Sequence, residues 1–583
     1  MYCPAAIATS YNSSCPYYIS SSIIIVQITI LSETHSTRTM ATANKYDRQL
    51  RLWGTNGQKK LSESSILLIG SSSVGTETVK NLVLPGIGSF HVIDEDSNMQ
   101  PTYNSHKEST GNADDNGTSN FFIPAVNVVE EESADSSCML VDKSCAEVAC
   151  ELLEELNDDV KGTFATVPSF AEMTTEDFES LVEDYSLVVA ADSPLAVLRN
   201  LGKACWSKNV DFISAKSYGF IGTCRIQTAR HDIVESRPDG SVPDLRIWKP
   251  FPELVELSNT YNLSQMDDME HSHIPYVIIL MKAMERWKAD NNNSVPTAFA
   301  DKERFRNDFV KAMSRNFANE INFEEAVRDA YLAYSAHAIP WEVQELLDNV
   351  SSEMINRDSR SFDVMLLALK NFIGDHGGDV PLNGTIPDMA SATDPYVALQ
   401  EVYHKKAAKD LAEMRKNVNY ILIAIGSEAS TVPDEDLSTF CKNIFNLQVL
   451  KTRNIDDELS CSGTDYDEVK DEIIMSTMEP CDPLVHTPLL WFLVMRACEQ
   501  FQEKHGVYPG SDSRELALSS DAEEVMKHLE RLVSCMGLSE CNLVTSSLSK
   551  DHAIEMVRCF NAELHNIASV IGGVASQEAV KVR

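Results

Sequence analysis

The chain has 583 residues, of which 43% are hydrophobic and 23% charged, and its formal net charge is −38. This length and composition are typical of a globular protein with roughly two to four domains. The acidic excess argues against nucleic acid as a partner, because phosphate binding needs a basic surface. The 14 cysteines include no C-x-x-C pair, which argues against a zinc site of that type and favours free thiols in a reducing compartment.

The first 40 residues precede any recognisable motif, and we expect a disordered extension over 1–40. An apolar run at 23–31 is shorter than the ~20 residues that cross a bilayer, so no membrane association is expected. No lysine or arginine precedes Arg38, which argues against a secretory signal. The sequence from Met40 onward has the character of a natural start.

Residues 41–96 predict a βαβ unit. A buried strand is expected at 65–70, a helix at 76–84 that ends at Pro85-Gly86, and a second strand at 89–94. Two strands joined by a helix imply a parallel sheet. The fold class predicted from this order is α/β.

The α/β pattern is predicted to continue to residue 249, with one interruption. Residues 97–140 are rich in Ser, Asn, Asp and Glu and lack periodicity, so a disordered insertion is expected there. Ser144 is expected to cap the next helix, 187–191 to form a buried strand, and 212–227 to hold two further strands.

Long amphipathic helices then replace the strands, and we expect a helical domain over 250–502. The clearest examples are 276–287, 362–372 and 396–414. Residues 503–583 are expected to return to the first domain. A helical insertion domain therefore interrupts the α/β domain.

The turn after the first strand resembles a nucleotide-binding loop that has lost one glycine. Gly70 and Gly75 fit the outer positions of G-x-G-x-x-G, but Ser72 stands where a glycine lets backbone approach a phosphate. Asp94 closes the second strand, where a ribose contact would lie. The alternatives are weak nucleotide binding or a nucleotide-type fold that is kept for packing.

Longer motifs carry a resemblance to a known family. The segment KYDRQLRLWG at 45–54 and the following SILLIGSSSVGTETVKNLVLPGIGSFHVID resemble the start of ubiquitin-family activating enzymes. Near the end of the chain, ELHNIASVIGGVASQEAVK resembles a late segment of the adenylation domains of those enzymes. One branch, the regulatory subunits of the neddylation activating enzyme, is matched further by DLRIWKPFPEL, HSHIPYVIIL, GTIPDM and GVYPG. The resemblance implies a ThiF-type adenylation fold whose helical domain corresponds to the catalytic-cysteine domain without its cysteine. Because that family continues with strands after Q-E-x-x-K, the part from 503 to 583 looks truncated.

The resemblance also implies a division of labour within a heterodimer. A catalytic subunit would bind ATP and magnesium, adenylate the C-terminal glycine of a ubiquitin-like modifier, and carry it as a thioester for a conjugating enzyme. The present chain would bind no cofactor or metal itself and would not be active alone. We expect it in the cytoplasm, the nucleus or both.

Site residues follow from the same resemblance. Arg48 of Y-D-R-Q would reach the partner's ATP site, since a guanidinium suits a phosphate. The alternative is a surface arginine paired with Asp47 or another carboxylate. An active domain of this family places loop, ribose, phosphate and magnesium contacts at positions that are here Gly70, Gly75, Asp94, Lys143 and Asp192. Ser72, and the insertion that replaces an expected N-L-x-R-Q-F segment, favour a vestigial pocket.

The candidate interface residues also come from the resemblance alone. His273 and the stretch bounded by Asp388 and Glu401 resemble segments that contact the catalytic subunit, although His273 could equally be structural. Cys224, Cys441 and Cys481 lack the C-T-x-x-x-x-P surroundings of the family's nucleophile and are expected to be ordinary buried or surface thiols.

Two functions from other classes compete with this interpretation. A self-sufficient activating enzyme would need a catalytic cysteine and an intact glycine loop. A nicotinamide-dependent oxidoreductase is suggested by the βαβ unit and Asp94, but the missing middle glycine and the Y-D-R-Q lead-in argue against it.

Overall fold

A computed structural model of the chain describes residues 45–95, 143–235, 244–460, 488–511, 515–539, 548–560 and 562–583. It divides into two compact units, one comprising Met1–His231 with Lys451–Arg583 and the other Asp232–Leu450. The extension predicted at 1–40, the insertion predicted at 97–140 and Cys481 lie outside the described residues. The described helices include none long and apolar enough to cross a membrane.

The first unit is built on a six-stranded sheet with the order β3-β2-β1-β4-β5-β6. Its strands are β1 Ser65–Ile69, β2 Ser89–Glu95, β3 Lys161–Val167, β4 Leu187–Ala191, β5 Asp211–Tyr218 and β6 Ile221–Gln227. The pairings are parallel except for the hairpin of β5 and β6, which is antiparallel. Because the chain leaves β1 to one side and later returns beside it with β4, the carboxyl ends of β1 and β4 form the switch point where α/β sheets bind ligands.

Five helices come first along this unit. They are α1 Asp47–Ser62, α2 Ser73–Val83, α3 Cys145–Glu154, α4 Thr175–Val182 and α5 Leu195–Lys208. Capping explains two of the starts: the side chain of Ser72 accepts from the N–H of Gly75, and that of Ser144 accepts from Glu147. The predicted strands at 65–70, 89–94 and 187–191 and the helix after Ser144 are confirmed, whereas β3 and α4 escaped prediction.

The second unit, Asp232–Leu450, is helical. Its helices are α6 Pro252–Asn259, α7 Asp268–His271, α8 Tyr276–Asp290, α9 Phe299–Arg304, α10 Ile321–Arg328, α11 Trp341–Asn349, α12 Ser361–Asp375, α13 Thr393–Ile425 and α14 Asp434–Lys442. A π-helical turn, Phe305–Val310, follows α9. Two short strands, β7 His231–Ile233 and β8 Gln448–Leu450, pair where the chain enters and leaves the unit.

The chain completes the first unit with α15 Ile455–Ser460, α16 Pro488–His505, α17 Glu515–Cys535, α18 Lys550–Cys559 and α19 His565–Lys581. The second unit ends at Leu450, whereas the sequence predicted a helical domain that continues to residue 502. The difference has a packing cause: Leu490, Leu493 and Val494 of α16 share an apolar core with Tyr218 of β5. Helical periodicity alone could not show that these helices cover the sheet domain. The predicted fold class, an α/β sheet domain interrupted by a helical domain, is confirmed.

Candidate functional site

The turn from β1 into α2 lies so close to β4 that glycine is required both in the loop, at Gly70, and in the first turn of the helix, at Gly75. Gly70 has a φ of +89°, and a Cβ atom there would lie 2.7 Å from the carbonyl oxygen of Ala191. A Cβ atom on Gly75 would lie 2.6 Å from the carbonyl oxygen of Gly70 and 2.8 Å from the Cβ of Ala191. The loop is therefore pressed onto the carboxyl end of β4, at the switch point of the sheet.

Asp94 is engaged by this same loop. Its Oδ2 accepts a hydrogen bond from the backbone N–H of Ser71 at 3.0 Å and another from the Ser71 hydroxyl, while Oδ1 accepts from the N–H of Glu95 at 2.8 Å. Burial raises the pKa of the Asp94 carboxyl although these hydrogen bonds oppose the rise. The hydrogen bonds of the Asp94 carboxylate thus hold the loop to the end of β2.

Asp192 follows β4 and adopts a left-handed backbone conformation with a φ of +49°. Its N–H donates to the carbonyl oxygen of Ala215 at 3.0 Å, and its Oδ1 accepts from the N–H of Ser217 at 2.9 Å. The side chain of Ser72 also hydrogen-bonds to this carboxylate. Burial raises the pKa of Asp192, while the nearby Lys216 ammonium and these hydrogen bonds lower it.

A residue distant in sequence completes the arrangement. The carboxylate of Glu563 accepts hydrogen bonds from the backbone N–H groups of Ser73 and Val74, in the first turn of α2. Burial, and then repulsion by Asp192, raise the pKa of Glu563 to about 7. We call Ser72, Ser73, Asp192 and Glu563 the switch-point cluster. The free N–H groups of a helix N-terminus favour an anion, and here a carboxylate of the chain itself takes that position.

A chain of buried ion pairs extends from the cluster into the domain. The Lys216 Nζ lies 2.9 Å from the Oε1 of Glu499 and 2.6 Å from the hydroxyl of Tyr508. Arg496 lies 2.8 Å from the other oxygen of Glu499 and 3.6 Å from Glu458. Burial would raise the pKa of Glu499, but Lys216 and Arg496 lower it below its ordinary value. The alternation of charges keeps this buried network ionised.

Sequence reasoning missed both Glu563 and Lys216. Glu563 lies 490 positions after Ser73 in the chain, so no local spacing relates the two residues. Lys216 lies within β5, which is buried from Phe212 to Tyr218, but lysine is ordinarily a surface residue and was not singled out. A charged residue in an otherwise buried strand is the one signal that could have identified Lys216.

Lys143 is not joined to the switch-point cluster by any contact within the described residues. Its Nζ hydrogen-bonds to Glu151 and lies 3.7 Å from Glu147, both on α3. The structure therefore brings together Gly70, Gly75, Asp94 and Asp192 of the predicted pocket but leaves Lys143 at the start of α3. Across the described ranges, the His, Cys, Asp and Glu side chains form no group of three or more suited to a metal ion.

Arg48 lies on the first turn of α1, and its side chain is exposed. Asp47 pairs with Arg51 at 2.8 Å rather than with Arg48. Within the part of the chain that the structure describes, Arg48 forms no ion pair. Asp47 is therefore engaged by Arg51, and among the described residues the guanidinium of Arg48 is available to another molecule; its role stays a prediction.

The three predicted interface residues all lie on the surface of the second unit. His273 is exposed, its ring lies 2.8 Å from both Ser272 and the carbonyl oxygen of Met269, and its own carbonyl oxygen accepts from the N–H of Ala392 at 3.0 Å. That last bond joins the His273 segment to the start of α13. Asp388 precedes this start and Glu401 lies on α13, both exposed. The His273 segment and the stretch from Asp388 to Glu401 are thus neighbours in the fold.

The surroundings of the two described candidate cysteines disfavour their thiolate forms. Burial raises the pKa of the Cys224 thiol and that of the Cys441 thiol to about 12. Thiolate is the nucleophilic form, and it is scarce at neutral pH for both residues. Neither is suited to carry a thioester.

Comparisons with known proteins agree with this arrangement. Residues 46–104 match the ThiF family. The NEDD8-activating enzyme E1 regulatory subunit of Xenopus laevis is 33% identical over 92% of this chain and 93% of its own length. The corresponding proteins of Danio rerio and, under the name AXL, of Arabidopsis thaliana are 34% and 32% identical over 92% of this chain, and the matches span 93% and 94% of their lengths.

Solved structures give a more distant likeness. The crystal structure of E. coli MccB is 18% identical and covers 38% of this chain and 56% of its own, with a TM-score of 0.23. A second MccB structure, with succinimide, is 14% identical and covers 50% of this chain and 65% of its own, with a TM-score of 0.24.

Proposed function

Since the chain belongs to the family of NEDD8-activating enzyme E1 regulatory subunits, we propose that it acts as the non-catalytic half of a heterodimer. Its partner is a catalytic subunit that binds ATP and magnesium. That subunit joins the C-terminal carboxylate of the modifier to AMP and releases pyrophosphate. A thiolate of the same subunit then displaces AMP, and the modifier passes as a thioester to a conjugating enzyme.

The main support for a non-catalytic role is that carboxyl groups of the chain itself occupy the switch point. The N–H groups that would face a phosphate are bonded to Glu563, and Asp192 lies beside them. Two carboxylates at this position disfavour a further anion by repulsion. The raised pKa values of Cys224 and Cys441 also argue against a thioester step on this chain at either residue. We infer that the pocket is vestigial and that ATP and magnesium bind at the partner.

Arg48 is the residue through which this chain would contribute to the chemistry. It lies at the start of α1, exposed and without an ion pair among the described residues, so it can reach another polypeptide. We propose that it contacts the phosphates of ATP in the catalytic subunit. A preorganised cation there stabilises the charge that develops as pyrophosphate leaves.

The surface of the second unit that joins His273 to the start of α13 is the proposed contact with the catalytic subunit. The carbonyl of His273 bonds to Ala392, so the two segments form one continuous surface with Asp388 and Glu401. The modifier and the conjugating enzyme would meet this chain through the complex. We place the complex in the cytoplasm, the nucleus or both.

The test of the pairing is co-expression with a catalytic subunit of the same family. Size-exclusion chromatography with light scattering should give a one-to-one complex that survives dilution to micromolar concentration. A variant that combines His273→Ala, Asp388→Ala and Glu401→Ala should weaken the complex, whereas the control Glu555→Ala, at a half-buried position on α18 in the other unit, should not. Two separate peaks for the wild-type proteins would refute the proposed function.

A further inference from the structure

The first turn of α2 has the properties of an anion site. It begins at the switch point between β1 and β4, and its N–H groups at Ser73 and Val74 point away from their own helix. Both N–H groups donate to one carboxylate, that of Glu563. A carboxyl group of the chain itself thus already occupies this position.

We infer that the N-terminus of α2 is a phosphate-type anion site that this chain fills with its own Glu563 carboxylate, and that Glu563 is the residue that excludes phosphate from it. The inference rests on the proposal that the pocket is vestigial, and it names the group responsible. Ser72, which stands in place of a glycine, leaves less room for a phosphate to approach the backbone. The N–H groups that would bind the phosphate are in addition already hydrogen-bonded to Glu563, so no donor is left for it.

The surrounding structure holds Glu563 firmly in this position. The carbonyl oxygen of Ala562, one residue earlier, accepts from the N–H of Gly219 at 2.8 Å. Two residues further, His565 lies 3.6 Å from Glu77 of α2. A Cβ atom on Gly572 would lie 2.7 Å from the Cβ of Glu77, so α19 and α2 cross in close contact. These contacts on both sides fix the carboxylate over the first turn of α2.

Asp192 is the second carboxylate of the switch-point cluster and lies beside Glu563. Asp192 is half-buried, with its Oδ2 shielded from solvent, and its carboxylate is hydrogen-bonded to Ser72 and Ser217 and close enough to Glu563 to disfavour a second charge. The buried Lys216 compensates for one of the two carboxylates. Removal of Glu563 would therefore leave two free N–H groups beside a carboxylate that is already neutralised. A phosphate oxygen could then take the place of the Glu563 oxygen.

The test compares the full-length wild type with Glu563→Ala and Glu563→Ser, and with Glu555→Ala as the matched charge control. Glu555 pairs with Arg558 on α18, outside the switch-point cluster. Inorganic phosphate and ATP are titrated without magnesium in separate calorimetric experiments. Sodium chloride at the same ionic strength corrects for screening of the acidic surface. We expect both Glu563 variants to bind phosphate at least ~tenfold more tightly than the wild type and the control.

The outcomes are distinguishable. A gain in phosphate affinity in the Glu563 variants supports the inference. An accompanying gain in ATP affinity would show that the pocket also has room for a nucleoside. Phosphate binding that is unchanged in both folded variants would overturn it, as would a wild type that binds phosphate as tightly as they do. If neither variant folds, Glu563 is a structural cap rather than an excluding group, and the inference fails. Tight ATP binding by the wild type would instead refute the vestigial pocket.

Discussion

Asp47 and Arg51 form an ion pair at 2.8 Å on the first turns of α1, and this pair leaves the intervening Arg48 exposed. The spacing of four residues lets Asp47 and Arg51 meet across one turn of the helix, whereas the adjacent residues Asp47 and Arg48 do not face each other. The carboxylate nearest in sequence to Arg48 is therefore already engaged. This geometry leaves the Arg48 guanidinium available for the role that we propose at the ATP site of the partner.

Arg48→Ala is expected to leave the heterodimer intact but to slow adenylate formation. Loss of one charge-assisted contact to a phosphate costs ~1.5–3 kcal/mol, or roughly tenfold to a few hundredfold in rate. Arg48→Lys should restore the rate only in part, because lysine keeps the charge but not the forked donor geometry. Pyrophosphate exchange at saturating modifier and varied ATP measures the effect. Arg51→Ala is the control, and equal rates for it and Arg48→Ala would disprove the assignment.

Glu563→Gln is expected to change how stability depends on pH. The pKa of Glu563 is raised from its ordinary 4.5 to about 7 in the folded chain, so the folded state holds this proton more tightly than the unfolded state. The contribution of the protonated Glu563 carboxyl group to the free energy of unfolding is therefore complete at acidic pH, and it is lost as the pH rises through 7. The stability of Glu563→Gln relative to the wild type should therefore rise by about 1–3 kcal/mol between pH ~5 and ~8.

Urea unfolding at several pH values across that window provides the measurement. Asp192, Lys216, His565 and Glu77 also face this region, so the comparison is made as a difference between variant and wild type. Glu555→Gln is the control, since Arg558 lowers the pKa of Glu555 and its titration lies below the window. A difference for Glu563→Gln that stays constant from acidic to alkaline pH would contradict the prediction.

Two adjacent glycines of α19 should respond oppositely to alanine. A Cβ atom on Gly572 would lie 2.7 Å from the Cβ of Glu77 and 2.9 Å from the backbone nitrogen of Thr78, whereas one on Gly573 meets nothing within 4 Å. Gly572→Ala is expected to cost ~1–3 kcal/mol by overpacking. Gly573→Ala should be neutral or stabilising by up to ~1 kcal/mol, because alanine favours a helix. Thermal unfolding compares them, and equal midpoints would mean that α2 and α19 are not in close contact.

The buried pair of Lys216 and Glu499 should behave as a coupled unit. Lys216→Met leaves a buried carboxylate with Arg496 alone, and such a loss is expected to cost ~3–5 kcal/mol. Addition of Glu499→Gln to that variant should recover part of the cost, since the unpaired charge is then removed. A double-mutant cycle by chemical unfolding measures this coupling. Strictly additive effects would show that the two side chains do not interact.

Local patterns in the sequence were sufficient to predict many of the strands and helices of the sheet domain. Buried apolar runs identified β1 and β4, and Ser144 identified the start of α3. β3 was missed because this edge strand is largely exposed and carries no apolar run. The predicted site residues depended on family motifs, and Glu563 escaped because only the tertiary fold brings it to Ser73. Long-range contacts of this kind leave no periodic signal in a single sequence.

Reconstituted activation of the modifier tests the central claim most directly. This chain, a catalytic subunit, and the two together are each incubated with modifier, ATP and magnesium, and followed by pyrophosphate exchange and by non-reducing gel electrophoresis. We expect full activity for the two together, a reducible modifier adduct on the catalytic subunit, and neither activity nor adduct for this chain by itself. Pyrophosphate exchange by this chain alone, or a reducible adduct on it, would contradict the account.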